Sequence, residues 1–266
     1  MTASTRWYDA EQLRRMSELT IAHYDRSAKA YWVGTRDHDV NQNYAALLDA
    51  IEGDPPYSIL DLGCGPGRDL RYFRSLGHDV VGLDGSTEFV AMARSYSECE
   101  VLQQDFLAMK LPESRFDGIF ANASLFHVPS QELPRVLAEL SANLRSRGVL
   151  FCSNPSGNNE EGFGGDRYSC FLRSRHLARL RHRSRVLAGE ALLPPAGTAA
   201  PQAVVARDRL AQRVRCVTGR APSWYGGAWS DLGVWTMVCP GKFGNPSFAD
   251  RRREWQILRT SVGAEE

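Results

Sequence analysis

Hydrophobic and polar positions alternate along the first two-thirds of the chain as they do in proteins where helices and strands follow one another. Apolar residues recur at helical spacing over residues 9–32, and a second, shorter helix is predicted over residues 41–51. Further along, short apolar runs predict strands from Ser58 and over 80–83, 100–103, 116–121 and 149–153, with helices over 70–76, 86–94 and 131–144. This alternation indicates an α/β fold with a doubly wound, mainly parallel sheet and N-terminal helices in front of it.

The pattern ends after about Phe171, where the chain becomes rich in arginine. Residues 192–202 are a low-complexity stretch of Leu, Pro, Ala and Gly, and one further strand is predicted at Val234–Val238. One interpretation of residues 172–266 is a disordered basic tail. The other interpretation is a change of reading frame. If the segment that begins at Leu172 is written in GC-rich codons and translated from the second base, the codons permit a sequence with the pattern of a further helix and strand. An intact frame on resequencing codons 170–173 would contradict the second interpretation.

The bulk composition is that of an ordinary globular protein. Of 266 residues, 43% are hydrophobic and the formal net charge is +1, which argues against a dedicated nucleic-acid or membrane binder. The six cysteines form no CxxC pair and no metal-ligand spacing, so we expect free thiols and no bound metal. Neither a signal peptide nor a membrane-spanning run is apparent, and we therefore predict a cytoplasmic protein.

The most informative segment follows the first predicted strand. In Asp61-Leu-Gly-Cys-Gly-Pro-Gly67 an acid ends the strand and glycines alternate before a helix begins. Glycine permits positive φ and lets a ligand approach the backbone closely. The spacing differs from the GxGxxG of dinucleotide-binding proteins. The segment resembles the first motif of the class I S-adenosylmethionine-dependent methyltransferases, and the resemblance covers roughly residues 19–168.

This resemblance implies S-adenosylmethionine as the cofactor and assigns residues to it. Asp61 would lie near the ammonium of the methionine moiety, and Gly63, Gly65 and Gly67 would approach the nucleoside. Asp84, at the end of the second strand, would accept the ribose hydroxyls, and Asp105 would accept the adenine amino group while Phe106 packs on the ring. The alternatives are a helix-capping turn for Asp61, a surface acid at a strand end for Asp84 and a solvated loop acid for Asp105. Phe89 and Met92 are interpreted as core residues.

The acceptor site is less well marked. His127 is the candidate catalytic residue because an imidazole can orient or deprotonate an acceptor near neutral pH. Asn122, after the fourth strand, is a candidate cofactor contact. Candidate substrate contacts are Tyr24 and Arg36 in the N-terminal segment, and Arg167 and Tyr168 in a long polar loop predicted over 154–168. A solvated helix face or turn, or a structural histidine, is the alternative for these residues.

These observations predict three regions: a helical lid over residues 1–52, an S-adenosylmethionine-binding domain over 53–171, and the irregular tail over 172–266. The resemblance implies a methyltransferase acting on a small molecule, with no nucleic-acid or membrane partner. Two alternatives stay open, namely a non-catalytic nucleoside-binding protein and a nicotinamide-dependent oxidoreductase. A third and weaker alternative is that the basic tail binds nucleic acid. If the printed tail is made, the edge of the sheet beyond the fifth strand is expected to lack its usual partner strands.

Overall fold

A computed structural model of the chain describes residues 7–155, 157–172, 214–219 and 232–238. The α-helices in the described part are α1 (Ala10–Thr35), α2 (Asn41–Leu48), α3 (Arg68–Ser75), α4 (Thr87–Ser97) and α5 (Leu133–Asn143). The strands there are β1 (Ser58–Leu62), β2 (Asp79–Asp84), β3 (Glu100–Gln103), β4 (Phe116–Asn122), β5 (Leu144–Pro155), β6 (Glu160–Gly164), β7 (Arg167–Phe171), β8 (Val214–Gly219) and β9 (Leu232–Val238). Every helix and strand predicted up to residue 153 is present.

The main sheet has the strand order β3-β2-β1-β4-β5-β9-β8, and its first five strands are parallel. The predicted doubly wound, mainly parallel sheet is therefore confirmed. The chain order reverses between β1 and β4, with Asp61 of β1 opposite Phe120 of β4. Ligands of such sheets bind in the crevice that this reversal opens at the carboxyl ends of the strands.

Helices cover both faces of the sheet, which explains why all five residues of β1 are buried. On one face Leu60 and Leu62 pack in a cluster with apolar residues of α5. On the other, Ile59 packs in a second cluster with residues of α2, α3 and α4. The two clusters fix the position of the β1 carboxyl end, where the glycine-rich segment begins.

The sheet continues beyond β5 into the C-terminal region. Strand β9 pairs antiparallel with β5, from Val149 opposite Val238 to Pro155 opposite Leu232, and β8 pairs antiparallel with β9. The expectation that this edge lacks partner strands is therefore wrong, while the strand predicted at Val234–Val238 is confirmed within β9. Residues 173–213, 220–231 and 239–266 lie outside the described residues, and most of the segment behind the reading-frame hypothesis lies there.

The segment predicted as a long polar loop is instead mostly a β-hairpin. Strands β6 and β7 pair antiparallel around a turn at Gly165 and Asp166, and Gly165 has a φ of +68°. The aromatic rings of Phe163 and Tyr168 contact each other across the pair, with centroids 5.6 Å apart. The alternation of β6 is hard to see in the sequence because Glu160-Glu-Gly-Phe-Gly164 contains two acids and two glycines.

Helix α1 begins at a capping box and lies across the carboxyl edge of the sheet. The Gln12 amide donates to Asp9 Oδ1 (2.8 Å) and the Asp9 amide donates to Gln12 Oε1 (3.0 Å). Further along, Asp25 Oδ1 accepts from Ser86 Oγ (2.6 Å) and from the Glu88 amide (3.1 Å), which ties α1 to the start of α4. None of the helices in the described residues is long and apolar enough to cross a membrane.

Candidate functional site

The glycine-rich turn between β1 and α3 has a left-handed backbone at three positions. The φ angles of Gly63, Gly65 and Gly67 are +74°, +51° and +95°. A Cβ on Gly63 would lie 2.5 Å from Ser124 Cβ, so a side chain there would collide with its neighbours. A Cβ on Gly67 would lie 2.9 Å from the backbone of Ala93. The turn thus needs glycine both for its conformation and for its close packing against β4 and α4.

Asp84, at the end of β2, holds this turn in place. Its Oδ2 accepts from the Gly65 amide at 2.9 Å, and its Oδ1 accepts from the Ser86 amide at 2.9 Å. The pKa of Asp84 is raised to about 6, because burial raises it by more than the backbone hydrogen bonds lower it. The carboxylate faces the crevice with lone pairs left to accept from a ligand, since each of its oxygens can accept more than one hydrogen bond.

Asp61 is buried behind the turn with an incomplete set of partners. It is 1% exposed, and its Oδ2 has no hydrogen-bond partner among the described residues. Burial raises the pKa of Asp61 well above its ordinary value, and the nearby Asp69 raises it further. A buried carboxylate of this kind is stabilised by a cation, so an ammonium group of a ligand would satisfy it.

Asp69, in the first turn of α3, is the centre of a neighbouring polar network. Its carboxylate accepts from Tyr44 Oη (2.5 Å), from Arg68 Nε (2.7 Å) and, at 3.4 Å, from Asn122 Nδ2. Asn122 Oδ1 in turn accepts from Ser153 Oγ at 2.6 Å. These side chains join α2, α3 and the ends of β4 and β5 directly beneath the glycine-rich turn.

This network gives a prediction for stability. The substitution Tyr44→Phe keeps the ring, which stacks on Tyr72 at 3.8 Å, but removes a donor from the buried Asp69 carboxylate. We expect a loss of about 1.5–3 kcal/mol in the free energy of unfolding, the range for hydrogen bonds to charged groups. Denaturant titration measures it. The matched control is Tyr57→Phe, because Tyr57 Oη donates to the exposed Gly53 carbonyl and its loss is expected to cost under about 1 kcal/mol. Equal losses in the two variants would contradict the role given to Asp69.

A cavity opens at the carboxyl ends of β1, β2, β3 and β4, beneath α1. Seven of the predicted site residues line it: Tyr24, Gly63, Gly65, Asp84, Asp105, Phe106 and His127. The others do not, namely Asp61, Gly67, Asn122, Arg36, Arg167 and Tyr168. Asp61 and Gly67 support the turn from behind.

Part of the cavity lining is aromatic and carries an acid. Asp105 Oδ1 accepts from the Leu107 amide at 2.9 Å and begins a short 3-10 turn over Phe106–Ala108. The ring of Phe106 approaches the glycine-rich turn, because a Cβ on Gly63 would lie 3.1 Å from Phe106 Cζ. Phe89 is buried as interpreted from the sequence, but it also lines the cavity and packs on Tyr31, with ring centroids 5.2 Å apart. Tyr31 and Phe89 are site residues that the sequence analysis missed.

The cavity is also lined by a hydrogen-bonded pair from distant parts of the chain. Tyr24 Oη of α1 lies 2.7 Å from His127 Nε2, and His127 Nδ1 lies 2.7 Å from the Tyr168 carbonyl. Since a carbonyl only accepts, Nδ1 carries the proton, and Nε2 accepts from the tyrosine hydroxyl. The pKa of His127 is lowered to about 3, mainly by burial and also by the nearby positive charge of Arg167. The imidazole is therefore neutral at physiological pH.

Three of the predicted substrate contacts do not line the cavity. Arg36 is exposed and pairs with the adjacent Asp37 at 3.1 Å. The Tyr168 side chain is buried away from the cavity and donates to Glu161 Oε2 at 2.7 Å, although its carbonyl orients His127. Arg167 does not line the cavity, although its positive charge acts to lower the pKa of both Tyr24 and His127.

These residues fit S-adenosylmethionine on grounds internal to the structure. The unpartnered Asp61 oxygen calls for a cation, Gly63 and Gly65 present backbone without a side chain to the cavity, and Asp84 presents an acceptor to it. Within the described residues, no group of three or more His, Cys, Asp or Glu side chains is placed to hold a metal ion.

Comparison with known proteins agrees with this geometry. Residues 59–148 match the family described as "Methyltransferase domain". The chain is 36% identical over 144 residues to a malonyl-[acyl-carrier protein] O-methyltransferase of Pectobacterium atrosepticum, covering 54% of this chain and 53% of that protein. It is also 36% identical over 119 residues to a trans-aconitate 2-methyltransferase of an Enterobacter species, covering 44% and 46% of the two chains. The chain thus spans about half the length of the curated relatives it matches.

A solved structure shows the same fold over more of the chain. The 1,6-didemethyltoxoflavin-N1-methyltransferase of Burkholderia thailandensis, with bound 1,6-didemethyltoxoflavin and S-adenosylhomocysteine, superposes with a TM-score of 0.62 at 19% identity. The superposition covers 89% of this chain and 93% of that one. At this identity the likeness establishes the fold.

Proposed function

We propose, from the match of residues 59–148 to the methyltransferase domain family, that the chain is an S-adenosylmethionine-dependent methyltransferase acting on a small molecule. The observation that carries the proposal is the bare glycine-rich turn held by Asp84, with the unpartnered carboxylate oxygen of Asp61 behind it. A nicotinamide-dependent oxidoreductase is disfavoured because Gly63, Gly65 and Gly67 do not have the GxGxxG spacing.

The cofactor would be held by side chains from the ends of three strands. Asp61 would stabilise its ammonium, Asp84 would accept its ribose hydroxyls, and Asp105 with Phe106 would bind the adenine. When bound, S-adenosylmethionine supplies a methyl group already activated as a sulfonium. Acid–base chemistry by the protein then matters less than alignment of the acceptor and exclusion of water.

The acceptor would lie at the end of the cavity formed by Tyr24 and His127. Helix α1 covers that end, which supports the predicted role of the N-terminal segment as a lid. His127 would orient the acceptor through a neutral imidazole whose tautomer is set by the Tyr168 carbonyl. The three-region division of the chain and the cytoplasmic location stay predictions.

Turnover distinguishes an enzyme from the alternative of a non-catalytic nucleoside-binding protein. The full-length chain is incubated with methyl-labelled S-adenosylmethionine and a library of small acids, alcohols and amines, and acceptor-dependent formation of S-adenosylhomocysteine is measured. We expect at least one acceptor to be methylated, and none by the Asp84→Ala variant. Tight S-adenosylhomocysteine binding without turnover on any member of the library would favour the binding protein.

A further inference from the structure

We propose that Ser124 is a further cofactor-binding residue, whose hydroxyl donates a hydrogen bond to the carboxylate of the methionine moiety of S-adenosylmethionine. The proposal rests on the proposed function and extends the same site to the segment that follows the fourth strand. Its basis is a buried hydroxyl group in the cavity lining that has no hydrogen-bond partner in the described part of the chain.

The Ser124 hydroxyl does not cap the turn that follows it. Ser124 is 4% exposed and lines the cavity, and its Oγ makes no hydrogen bond to any residue that the structure describes. The residue stands directly before the 3-10 turn Leu125–His127, a position where a serine side chain usually accepts from a backbone amide, but this side chain makes no such bond. Because a buried hydroxyl without a partner lowers stability, we infer that a ligand supplies the partner.

The residue before Ser124 has an unfavourable backbone conformation. Ala123 also lines the cavity, and its φ of +54° lies in the left-handed region, which a residue with a Cβ adopts at a cost. Its amide donates to the Ser153 carbonyl at 2.8 Å and to Ser153 Oγ at 3.1 Å, so β5 holds this segment in place. The segment lies against the glycine-rich turn, since a Cβ on Gly63 would lie 3.2 Å from Ser124 Oγ. Backbone strain and an unsatisfied hydroxyl therefore occur together in the cavity lining, as they do at binding sites.

The order of the strands places Ser124 next to the methionine moiety of the cofactor. Neighbouring strands of the sheet are β3, β2, β1 and β4, in that order. The proposed contacts follow the same order, with Asp105 after β3 for the adenine, Asp84 of β2 for the ribose and Asp61 of β1 for the ammonium. The next strand is β4, which ends at Asn122, two residues before Ser124. A cofactor extended across the strand ends therefore has its amino-acid part between β1 and the segment that contains Ser124.

The carboxylate is the charged group of that amino-acid part for which the proposed contacts supply no donor. The carboxylates of Asp61, Asp84 and Asp105 only accept hydrogen bonds when ionised, so none of them can bind a second carboxylate. A serine hydroxyl donates one hydrogen bond, and rotation between its staggered rotamers turns it toward the cavity that the residue lines. The hydrogen bond to a carboxylate is charge-assisted and is therefore stronger than one between neutral groups.

The test compares three ligands that share the nucleoside and differ in the amino-acid part. The full chain is titrated by calorimetry with S-adenosylhomocysteine, with its decarboxylated analogue, which keeps the ammonium, and with 5′-methylthioadenosine, which lacks both charged groups. We expect Ser124→Ala to bind S-adenosylhomocysteine at least about tenfold more weakly than wild type does, the effect of losing a hydrogen bond to a charged group. The affinities of this variant for the other two ligands are expected to stay within about twofold of wild type, because neither ligand has a carboxylate.

The ligand-free chain gives a second readout, which a serine with a structural hydrogen bond would move in the opposite direction. Ser124→Ala removes a buried hydroxyl that has no partner, so we expect the midpoint of thermal unfolding to rise by about 2–4 °C. The matched control is Ser97→Ala, because Ser97 is 1% exposed and its Oγ donates to the Ala93 carbonyl at 2.7 Å. This control is expected to unfold about 2–4 °C lower than wild type and to bind all three ligands as wild type does.

The outcomes separate this proposal from the one it rests on. Failure of the wild-type chain to bind S-adenosylhomocysteine would overturn the proposed function and this proposal with it. Normal wild-type binding with no loss in Ser124→Ala, or with an equal loss for the decarboxylated analogue, would overturn the assignment of Ser124 alone. A lower unfolding midpoint of the ligand-free Ser124→Ala chain would also overturn it, because the hydroxyl would then have a partner in the free protein.

Discussion

Replacing Asp84 by asparagine is expected to weaken S-adenosylhomocysteine binding by about 10- to 100-fold, the equivalent of about 1.5–3 kcal/mol for hydrogen bonds to a charged group. The carboxylate accepts from the Gly65 and Ser86 amides and would accept from the ribose. An asparagine has one oxygen, so it cannot hold both amides and the ligand. Calorimetric titration measures the change. The control is Asp79→Asn at the exposed start of the same strand, which is expected to bind normally.

The same residue predicts a pH dependence. The pKa of Asp84 in the folded chain is raised by burial to about 6. Its protonated form is therefore favoured by folding, and its contribution to stability is present below the ordinary pKa of about 3.9 and is lost as the pH rises through about 6. Binding through the carboxylate has the opposite dependence, because a ligand hydroxyl needs the ionised acceptor. Affinity for S-adenosylhomocysteine should fall at least about tenfold between pH 7 and pH 5 in the wild type and clearly less in Asp84→Asn, where only other groups such as Asp61 can contribute to the fall. An unchanged wild-type affinity over this range would contradict the assignment.

Gly63→Ala is expected to have the second large effect, a loss of at least about 2 kcal/mol in stability together with loss of ligand binding. The φ of +74° disfavours any side chain, and the added Cβ would lie 2.5 Å from Ser124 Cβ, an atom fixed to the backbone just after β4 rather than the end of a flexible side chain. Thermal unfolding and S-adenosylhomocysteine titration measure the two effects.

The control for this substitution is Gly34→Ala. Gly34 lies within α1 with no atom within 4 Å of an added Cβ, so alanine there should stabilise the helix by about 0.5–1 kcal/mol. Equal behaviour of the two variants would mean that the glycine-rich turn is not under the steric constraint described above.

The elements from α1 to β5 could be predicted because each has a local signal, either helical spacing of apolar residues or a short apolar run bounded by turns. Strand β5 begins at Leu144, earlier than predicted, because Arg145, Ser146 and Arg147 are exposed and give no apolar signal. Strand β6 was missed for a similar reason, since its residues are exposed or half-buried and include two acids and two glycines. The strands of the β6–β7 hairpin are specified by the pairing itself and by contacts with α1, such as the Tyr168 amide donating to Thr20 Oγ1 at 3.0 Å.

The candidate cofactor residues that line the cavity could be singled out from sequence, since they follow the ends of strands within a few positions. Contacts between distant segments could not be predicted in this way. Such contacts hold the Asn122 side chain outside the cavity lining. Its amide is taken up by Asp69 and Ser153, partners 53 and 31 residues away. Tyr24 and His127 were both singled out, but their hydrogen bond spans 103 residues and no local pattern indicates it.

The measurement that tests the central claim most directly is calorimetric titration of the full-length chain with S-adenosylhomocysteine, with NAD as the comparison ligand. We predict one site of micromolar or tighter affinity for S-adenosylhomocysteine, which corresponds to a binding free energy of about 8 kcal/mol or more. We predict no measurable binding of NAD. Binding of NAD in preference, or of neither ligand by a folded sample, would contradict the assignment of the glycine-rich turn and Asp84 to S-adenosylmethionine.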